Sequence, residues 1–219
     1  MDVVPFPSRA DRSTPQISGQ RSAYLPLKRA FDVACSALGL LLLAPALGLA
    51  ALAVKCSSPG PVLFRQVRVG RHGRPFRIAK FRSMRIDEAG PEVTAGGDAR
   101  VTPVGRLLRR TKIDELPQLW NVLAGDMSLV GPRPEVQRYV DRFPLDYQRI
   151  LAVRPGITDY AAVAYRDEES VLEAAADAEA AYLETVLPAK IRLYHRYLDD
   201  MSFRTDLTII LNTLSAVLP

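Results

Sequence analysis

The sequence predicts an α+β fold, mainly helical with a small β-hairpin, anchored in a membrane by a proline-broken re-entrant helix. Three observations predict it. Val33 to Val54 is a run of 22 residues without a charge, with Pro45 inside it. Residues 62–82 hold two β-branched, basic stretches around the turn sequence Gly70-Arg71-His72-Gly73. Elsewhere apolar residues recur at helical spacing, as in Leu116, Leu119, Trp120 and Leu123.

Residues 1–27 carry Pro5, Pro7, Pro15 and Pro26 among Ser, Arg and Gln, with little apolar periodicity. This predicts a disordered N-terminal tail. It is no signal peptide, because the apolar stretch begins too far from Met1.

Residues 28–55 form the membrane segment. About 20 apolar residues suffice to cross a bilayer, so a plain span is one reading. Positive charge, however, flanks both ends: Lys28 and Arg29 before, Lys55, Arg65, Arg68, Arg71 and Arg74 after. Basic flanks belong in the cytoplasm, and a single span cannot place both there. A helix that enters, bends at Pro45 and returns to the same face can. Pro45 removes a backbone hydrogen bond, and Gly39, Ala44, Ala46 and Gly48 are small enough for a tight bend. Both topologies remain open on these grounds.

Residues 56–219 form a water-soluble, cytoplasmic domain. The chain of 219 residues carries a net charge of +5, but the charge is unevenly spread. Residues 55–113 hold 14 Lys/Arg against 4 Asp/Glu, and residues 114–219 hold 10 against 17. The mean hydropathy of +0.01 likewise averages one apolar insertion with a polar remainder. Two cysteines, Cys35 and Cys56, exclude a disulfide framework.

Within the basic segment, Val62–Val69 and Phe76–Arg82 read as a hairpin and Gly90–Thr102 as a loop. Most of these cations suit a face lying on anionic headgroups; a few suit a bound phosphate. Nucleic acid is disfavoured, since few aromatics interleave the basic residues and no DNA-binding motif is apparent.

Thr111–Leu123 reads as a helix with Pro117 in its first turn, which puts Asp114 and Glu115 at its start. Acidic residues there are ordinary caps. These two, however, follow Arg106, Arg109, Arg110 and Lys112 and precede the rigid loop Gly131-Pro132-Arg133-Pro134. A carboxylate among guanidinium groups stays ionised and can attack phosphorus or hold a divalent cation. The last helical stripe, Leu207 to Leu218, fits either a core helix or one lying in the membrane plane.

Taken together, several motifs resemble the bacterial sugar transferases, the small monotopic phosphoglycosyltransferases. They are Lys28-Arg29-Ala30-Phe31-Asp32, Lys80-Phe81-Arg82-Ser83-Met84, Asp114-Glu115-Leu116-Pro117-Gln118, Gly125-Asp126-Met127-Ser128, Val130-Gly131-Pro132-Arg133-Pro134 and Arg154-Pro155-Gly156-Ile157-Thr158. The resemblance runs from about residue 25 to the C-terminus. It implies a re-entrant anchor in the bacterial inner membrane, a cytoplasm-facing catalytic domain, and Mg²⁺ as cofactor. It also implies transfer of a sugar 1-phosphate from a UDP-sugar to polyprenyl phosphate, with UMP released.

The family's catalytic pair falls on Asp114 and Glu115. Asp114 is then the nucleophile that forms a covalent phosphosugar and also the metal ligand, while Glu115 handles a proton or orients its neighbour. Arg109, Arg133, Lys80 and Asp206 are the corresponding substrate- and phosphate-binding candidates. Ala44-Pro45 replaces the family's frequent Ser-Pro, and Asp159-Tyr160-Ala161-Ala162-Val163-Ala164 departs from the family's usual segment after the Pro-Gly-Ile-Thr motif. The sugar is therefore left open. So is the oligomeric state, a homodimer among the options. The competing reading is a non-enzymatic, membrane-anchored basic module that binds anionic partners.

Overall fold

A computed structural model describes residues 19–86 and 98–217. Most of the expected N-terminal tail and of the expected Gly90–Thr102 loop lies outside the described residues.

Helix α1 (Gly19–Ser57) runs for 39 residues, about 58 Å at 1.5 Å per residue. It begins at Gly19 rather than at Lys28, because Tyr24 and Lys28 are both fastened to Asp206 near the other end of the chain. The helix continues through Pro26 and Pro45; each removes one backbone donor without ending it, a kink being the usual cost. Tyr24–Ser57 is long and apolar enough to cross a membrane. Leu38, Leu41, Leu42, Leu49 and Leu52 on it are exposed.

The expected hairpin forms. Strands β1 (Leu63–Val69) and β2 (Pro75–Phe81) pair antiparallel, with Leu63 opposite Phe81 and Val69 opposite Pro75. The turn at Arg71–Gly73 holds His72 and Gly73 at positive φ, 60° and 72°. Helix α2 (Pro103–Arg110) follows, capped by Thr102, whose hydroxyl accepts from the Gly105 amide. Gly105 lies so close to Ser83 that a Cβ there would meet the Ser83 carbonyl oxygen at 2.0 Å. Only glycine lets α2 dock on that strand exit.

Helix α3 (Gln118–Ala124) is shorter than expected: Ile113–Glu115 is a separate 3-10 turn, and Pro117 caps the helix. Its buried face is also different. Leu119 and Val122 are buried with Gln118 and Asn121, whereas Trp120, expected on the apolar stripe, is 65% exposed. The reason is two-sided packing, with α1 against one flank of α3 and β2 against the other.

Strand β3 (Ser128–Val130) pairs in parallel with β4 (Gly156–Thr158). Between them lie α4 (Gln137–Val140) and α5 (Pro144–Ile150). After β4 come α6 (Tyr160–Ala164), α7 (Glu168–Glu173), α8 (Ala178–Ala181), α9 (Leu187–Asp200) and α10 (Phe203–Val217). Residues 130–209 supply most of the main core, including Tyr147, Leu187, Tyr194 and Tyr197. A second cluster joins α1 to α2 and β2 through Ala50, Val54, Phe81 and Leu108. Both ends of the apolar stretch of α1 are thus packed on the rest of the fold. Of the C-terminal stripe, Leu207, Leu211 and Leu214 are exposed; the buried apolar residue of α10 is Ile209, which lies off the stripe, and Phe203 before it is exposed.

Candidate active site

Three elements deliver the site. Strand β2 carries Lys80, the 3-10 turn carries Asp114 and Glu115, and the loop after β3 carries Arg133. Asn121 of α3 fixes the first two relative to each other. Its Oδ1 accepts from the Ala79 amide at 3.0 Å and its Nδ2 donates to the Arg77 carbonyl at 2.9 Å. A side-chain amide thereby completes the edge of β2 that β1 leaves open. Lys112, at φ 56°, turns the chain from α2 into the acidic pair. A left-handed residue other than glycine stores about 1 kcal/mol or more, and such strain gathers at functional sites.

Arg133 is aimed by the β3–β4 pair. Gly156 passes so close to Gly131 that a Cβ would meet its nitrogen at 2.1 Å. The Arg133 amide then donates to Asp159 Oδ2 at 3.0 Å, while Asp159 Oδ1 accepts from the Ala162 amide and caps α6. Sequence reasoning noticed Asp159 only as a departure from the family pattern; its place one residue before a helix is the signal that was there to read.

Glu115 is the hub. Its Oε1 accepts from Lys80 Nζ at 2.9 Å and from Arg133 Nη2 at 2.6 Å, and its Oε2 from Arg133 Nη1 at 3.2 Å. Burial alone would raise its pKa, but the charges of Arg133 and Lys80 and their hydrogen bonds outweigh it and hold Glu115 well below the usual carboxylate range. Lys80 is pushed down, by burial first and then by Arg133. Arg133 is held well above its ordinary value by Glu115.

Asp114 beside it is treated oppositely. It is 7% exposed, and its Oδ1 is buried with no hydrogen-bond partner. Burial and then the neighbouring Glu115 raise its pKa to about 6, against the pull of Lys80, Lys112 and Arg109. Two adjacent carboxylates are thus separated in basicity by environment: one clamped and firmly ionised, one unclamped and more basic. Four cations, Lys80, Arg109, Lys112 and Arg133, act on two carboxylates. A setting this rich in cations suits an anionic ligand.

The expected site residues are only partly brought together. Asp114, Glu115, Lys80 and Arg133 converge, with Arg109 within electrostatic reach of Asp114 and bonded through Nε to Ser83 Oγ at 2.8 Å. Lys80 and Arg133, expected to meet substrate phosphate, are first of all partners of Glu115. Asp206 stands in another network: its carboxylate accepts from Lys28, Tyr24 and Tyr197. It fastens α10 to α1, a role the sequence spacing of 178 residues to Lys28 could not reveal. Conversely, Gln118 was not singled out. It lies four residues after Asp114, is 1% exposed, and neither of its amide heavy atoms has a partner. A buried amide left unpaired costs about 1–3 kcal/mol, a cost that a ligand's hydrogen bonds would relieve.

The sequence profile of bacterial sugar transferases matches residues 23–219. The chain belongs to the bacterial sugar transferase family. Among its relatives is a UDP-glucose:undecaprenyl-phosphate glucose-1-phosphate transferase of Caulobacter vibrioides, 45% identical over 87% of this chain and 69% of the relative. An Aeromonas hydrophila UDP-N-acetylgalactosamine-undecaprenyl-phosphate N-acetylgalactosaminephosphotransferase is 39% identical over 89% of this chain. An Escherichia coli K12 UDP-glucose:undecaprenyl-phosphate glucose-1-phosphate transferase is 48% identical over 67%. The chain spans 44% and 33% of the length of these last two.

At the Asp114–Glu115 pair a basic, unclamped carboxylate lies among several cations. Among the described residues no group of three or more His, Cys, Asp or Glu side chains could hold a metal by itself. A divalent cation here would have to be shared with the substrate. Magnesium does bind through one or two carboxylates plus substrate phosphates and water, and the unpartnered Oδ1 of Asp114 fits that demand.

Proposed function

We propose that this chain transfers a sugar 1-phosphate from a UDP-sugar to a polyprenyl phosphate, releasing UMP and forming a polyprenyl diphosphate sugar. The observation that carries the reading is Asp114: a buried, unpartnered carboxylate of raised basicity beside a clamped Glu115, inside a family whose named relatives act on UDP-sugars and undecaprenyl phosphate.

The first step joins an Asp114 carboxylate oxygen to the sugar-bearing phosphorus and breaks that phosphorus's bond to the oxygen bridging to the nucleotide phosphate. UMP leaves with that electron pair. In the second step an oxygen of the lipid phosphate attacks the same phosphorus and releases Asp114. One difficult exchange becomes two at one carboxylate. With a pKa of about 6, Asp114 is mostly ionised at pH 7.5 and still more nucleophilic than an ordinary aspartate. Glu115 keeps Lys80 and Arg133 in register, and Arg109 and the remaining N–H groups of Lys80 and Arg133 receive the negative charge of the diphosphate. Mg²⁺, held by Asp114 and the diphosphate, would neutralise charge on the leaving UMP. Gln118 offers its amide to the same phosphates.

The anchor belongs to this reading. Arg29 at one end of the apolar stretch donates to the Val122 and Leu123 carbonyls of α3. At the other end, Arg82 donates to the carbonyls of Val54, Ser58 and Pro59. A span tied at both ends to one domain would drag α3 and α2, with the arginines of α2, into hydrocarbon, which is strongly unfavourable. A shallow, re-entrant insertion avoids this and leaves the domain on the cytoplasmic face of the inner membrane. The exposed residues Phe203, Leu207, Leu211 and Leu214 of α10 then lie in the interface.

The test is UMP release from a panel of UDP-sugars by the full chain in detergent with polyprenyl phosphate and Mg²⁺. At least one sugar should turn over, and Asp114→Asn should abolish it. Undiminished release by that variant would overturn the reading.

A further inference from the structure

A cleft whose lining includes neither residue of the acidic pair is walled by the start of α1, the hairpin turn and the segment leading into β4. Four cations line it, Lys28, Arg29, Arg71 and Arg154, with Asp32 as the only carboxylate. Two of these charges are already matched. Lys28 is paired with Asp206, and the Asp32 carboxylate accepts from Ser128 Oγ at 2.7 Å and from the Leu129 amide at 3.1 Å.

The three arginines are not matched by any carboxylate. Each is pinned by main-chain carbonyls instead: Arg29 by Val122 and Leu123, Arg71 through Nε by Ala152 at 3.0 Å, and Arg154 through Nε by Gly125 at 2.9 Å. Among the described residues none of the three has an acidic group within 4.0 Å. Pinning through Nε leaves the terminal nitrogens of Arg71 and Arg154 for the cleft, in the planar fork that matches a phosphate. Burial first, and then the charges of Arg29 and Arg71, push the Arg154 pKa down, with Asp32 pulling the other way.

Position narrows the ligand. Arg29 precedes Val33, where the uncharged apolar run begins, by four positions, about 6 Å along the helix. The cleft therefore opens where headgroup phosphates lie if α1 enters a membrane. Leu25 and Met201 on its wall supply an apolar flank.

We propose that Arg29, Arg71 and Arg154 form a site for the phosphate of a membrane lipid, separate from the Asp114–Glu115 site. The proposal rests on the reading that α1 is a membrane anchor. The shared chemistry is a phosphate on a lipid, whether a glycerophospholipid headgroup or a polyprenyl phosphate.

The experiment is native mass spectrometry of the purified full chain in detergent, with phosphatidylglycerol or undecaprenyl phosphate added. Wild type should retain one lipid, and Arg71→Gln and Arg71→Gln/Arg154→Gln should retain it at least tenfold less. Loss confined to phosphatidylglycerol assigns a headgroup site; loss confined to undecaprenyl phosphate, or its displacement of phosphatidylglycerol, assigns a substrate-lipid site. Retention of both lipids within twofold of wild type in both variants overturns the proposal. Arg71→Gln alone is decisive if the double variant fails to fold, since Arg71 fastens only the Ala152 carbonyl. Flotation of the same variants with phosphatidylcholine vesicles reports α1 insertion independently; failure of wild type to float would sink the anchor reading instead.

Discussion

Arg133 grips Glu115 with both terminal nitrogens, at 2.6 and 3.2 Å, while Lys80 reaches the same carboxylate from β2. Glu115 thus joins two chain segments that are otherwise distant in sequence, and it does so without touching Asp114's own basicity except by repulsion.

Removing Glu115 should therefore harm the fold as well as the reaction. Glu115→Ala leaves two partly buried cations facing each other; breaking a fully buried pair costs about 3–5 kcal/mol, and this partly exposed one less. A drop of several degrees in thermal midpoint, together with loss of UMP release, is expected. Arg133→Lys keeps the charge and loses the fork; it should fold with a smaller loss of midpoint and still lose most turnover. Equal midpoints for wild type and Glu115→Ala would show the clamp to be weak.

Asp114 should behave in the opposite sense. A carboxyl whose folded pKa is raised contributes stability that is present below its unfolded value, near 4, and lost as pH rises through about 6. At neutral pH the ionised group costs on the order of 3 kcal/mol against an unperturbed aspartate. Asp114→Asn should be inactive yet melt higher than wild type at pH 7.5 in chelator-treated buffer, and the difference should vanish towards pH 4. A lower midpoint than wild type at pH 7.5 would contradict the raised pKa.

How much of this was legible in the sequence depends on distance along the chain. The hairpin was, because its strands and turn are neighbours and their chemistry is local. The acidic pair was, because Pro117 marks a helix start and the arginines around it are close in sequence. The clamp was not: nothing local tells Lys80 and Arg133 to meet Glu115 rather than substrate. The Asp206–Lys28 pair was not legible for the same reason, since its two residues lie towards opposite ends of the chain. Trp120 was assigned to a buried stripe because periodicity counts apolar residues and cannot see that α1 and β2 take both flanks of so short a helix.

Gln118 offers a test that separates structure from function. Its side chain is buried and its amide unpaired, so an apolar residue of similar shape should be tolerated or better. Gln118→Met is expected to keep or raise the thermal midpoint by up to about 1–3 kcal/mol of stability while raising KM for the UDP-sugar or lowering kcat at least tenfold. Unchanged kinetics would make the amide a structural accident.

Asn121 should show the reverse split. It replaces a missing strand beside β2, and Asn121→Ala would leave the buried Ala79 amide unpaired, at about 1–3 kcal/mol, and the part-buried Arg77 carbonyl without its partner. A lower thermal midpoint is expected, with faster amide hydrogen exchange at Ala79, whose N–H bonds Asn121. Retained protection at Ala79 would remove Asn121 from the scaffold of Lys80.

The topology of α1 can be read with the chain's own chemistry. Cys56 is exposed and lies directly after the apolar stretch; Leu27, 57% exposed, lies just before it. With Cys35→Ala in both, one protein keeps Cys56 and the other carries Leu27→Cys with Cys56→Ser. If both ends are held to one cytoplasmic domain by Arg29 and Arg82, a membrane-impermeant maleimide should label both proteins in inside-out vesicles and neither in right-side-out ones. Labelling from opposite sides would establish a span. The Arg29 and Arg82 bonds to main-chain carbonyls could then not both persist in the membrane, and the domain would have to release one end of the helix on insertion.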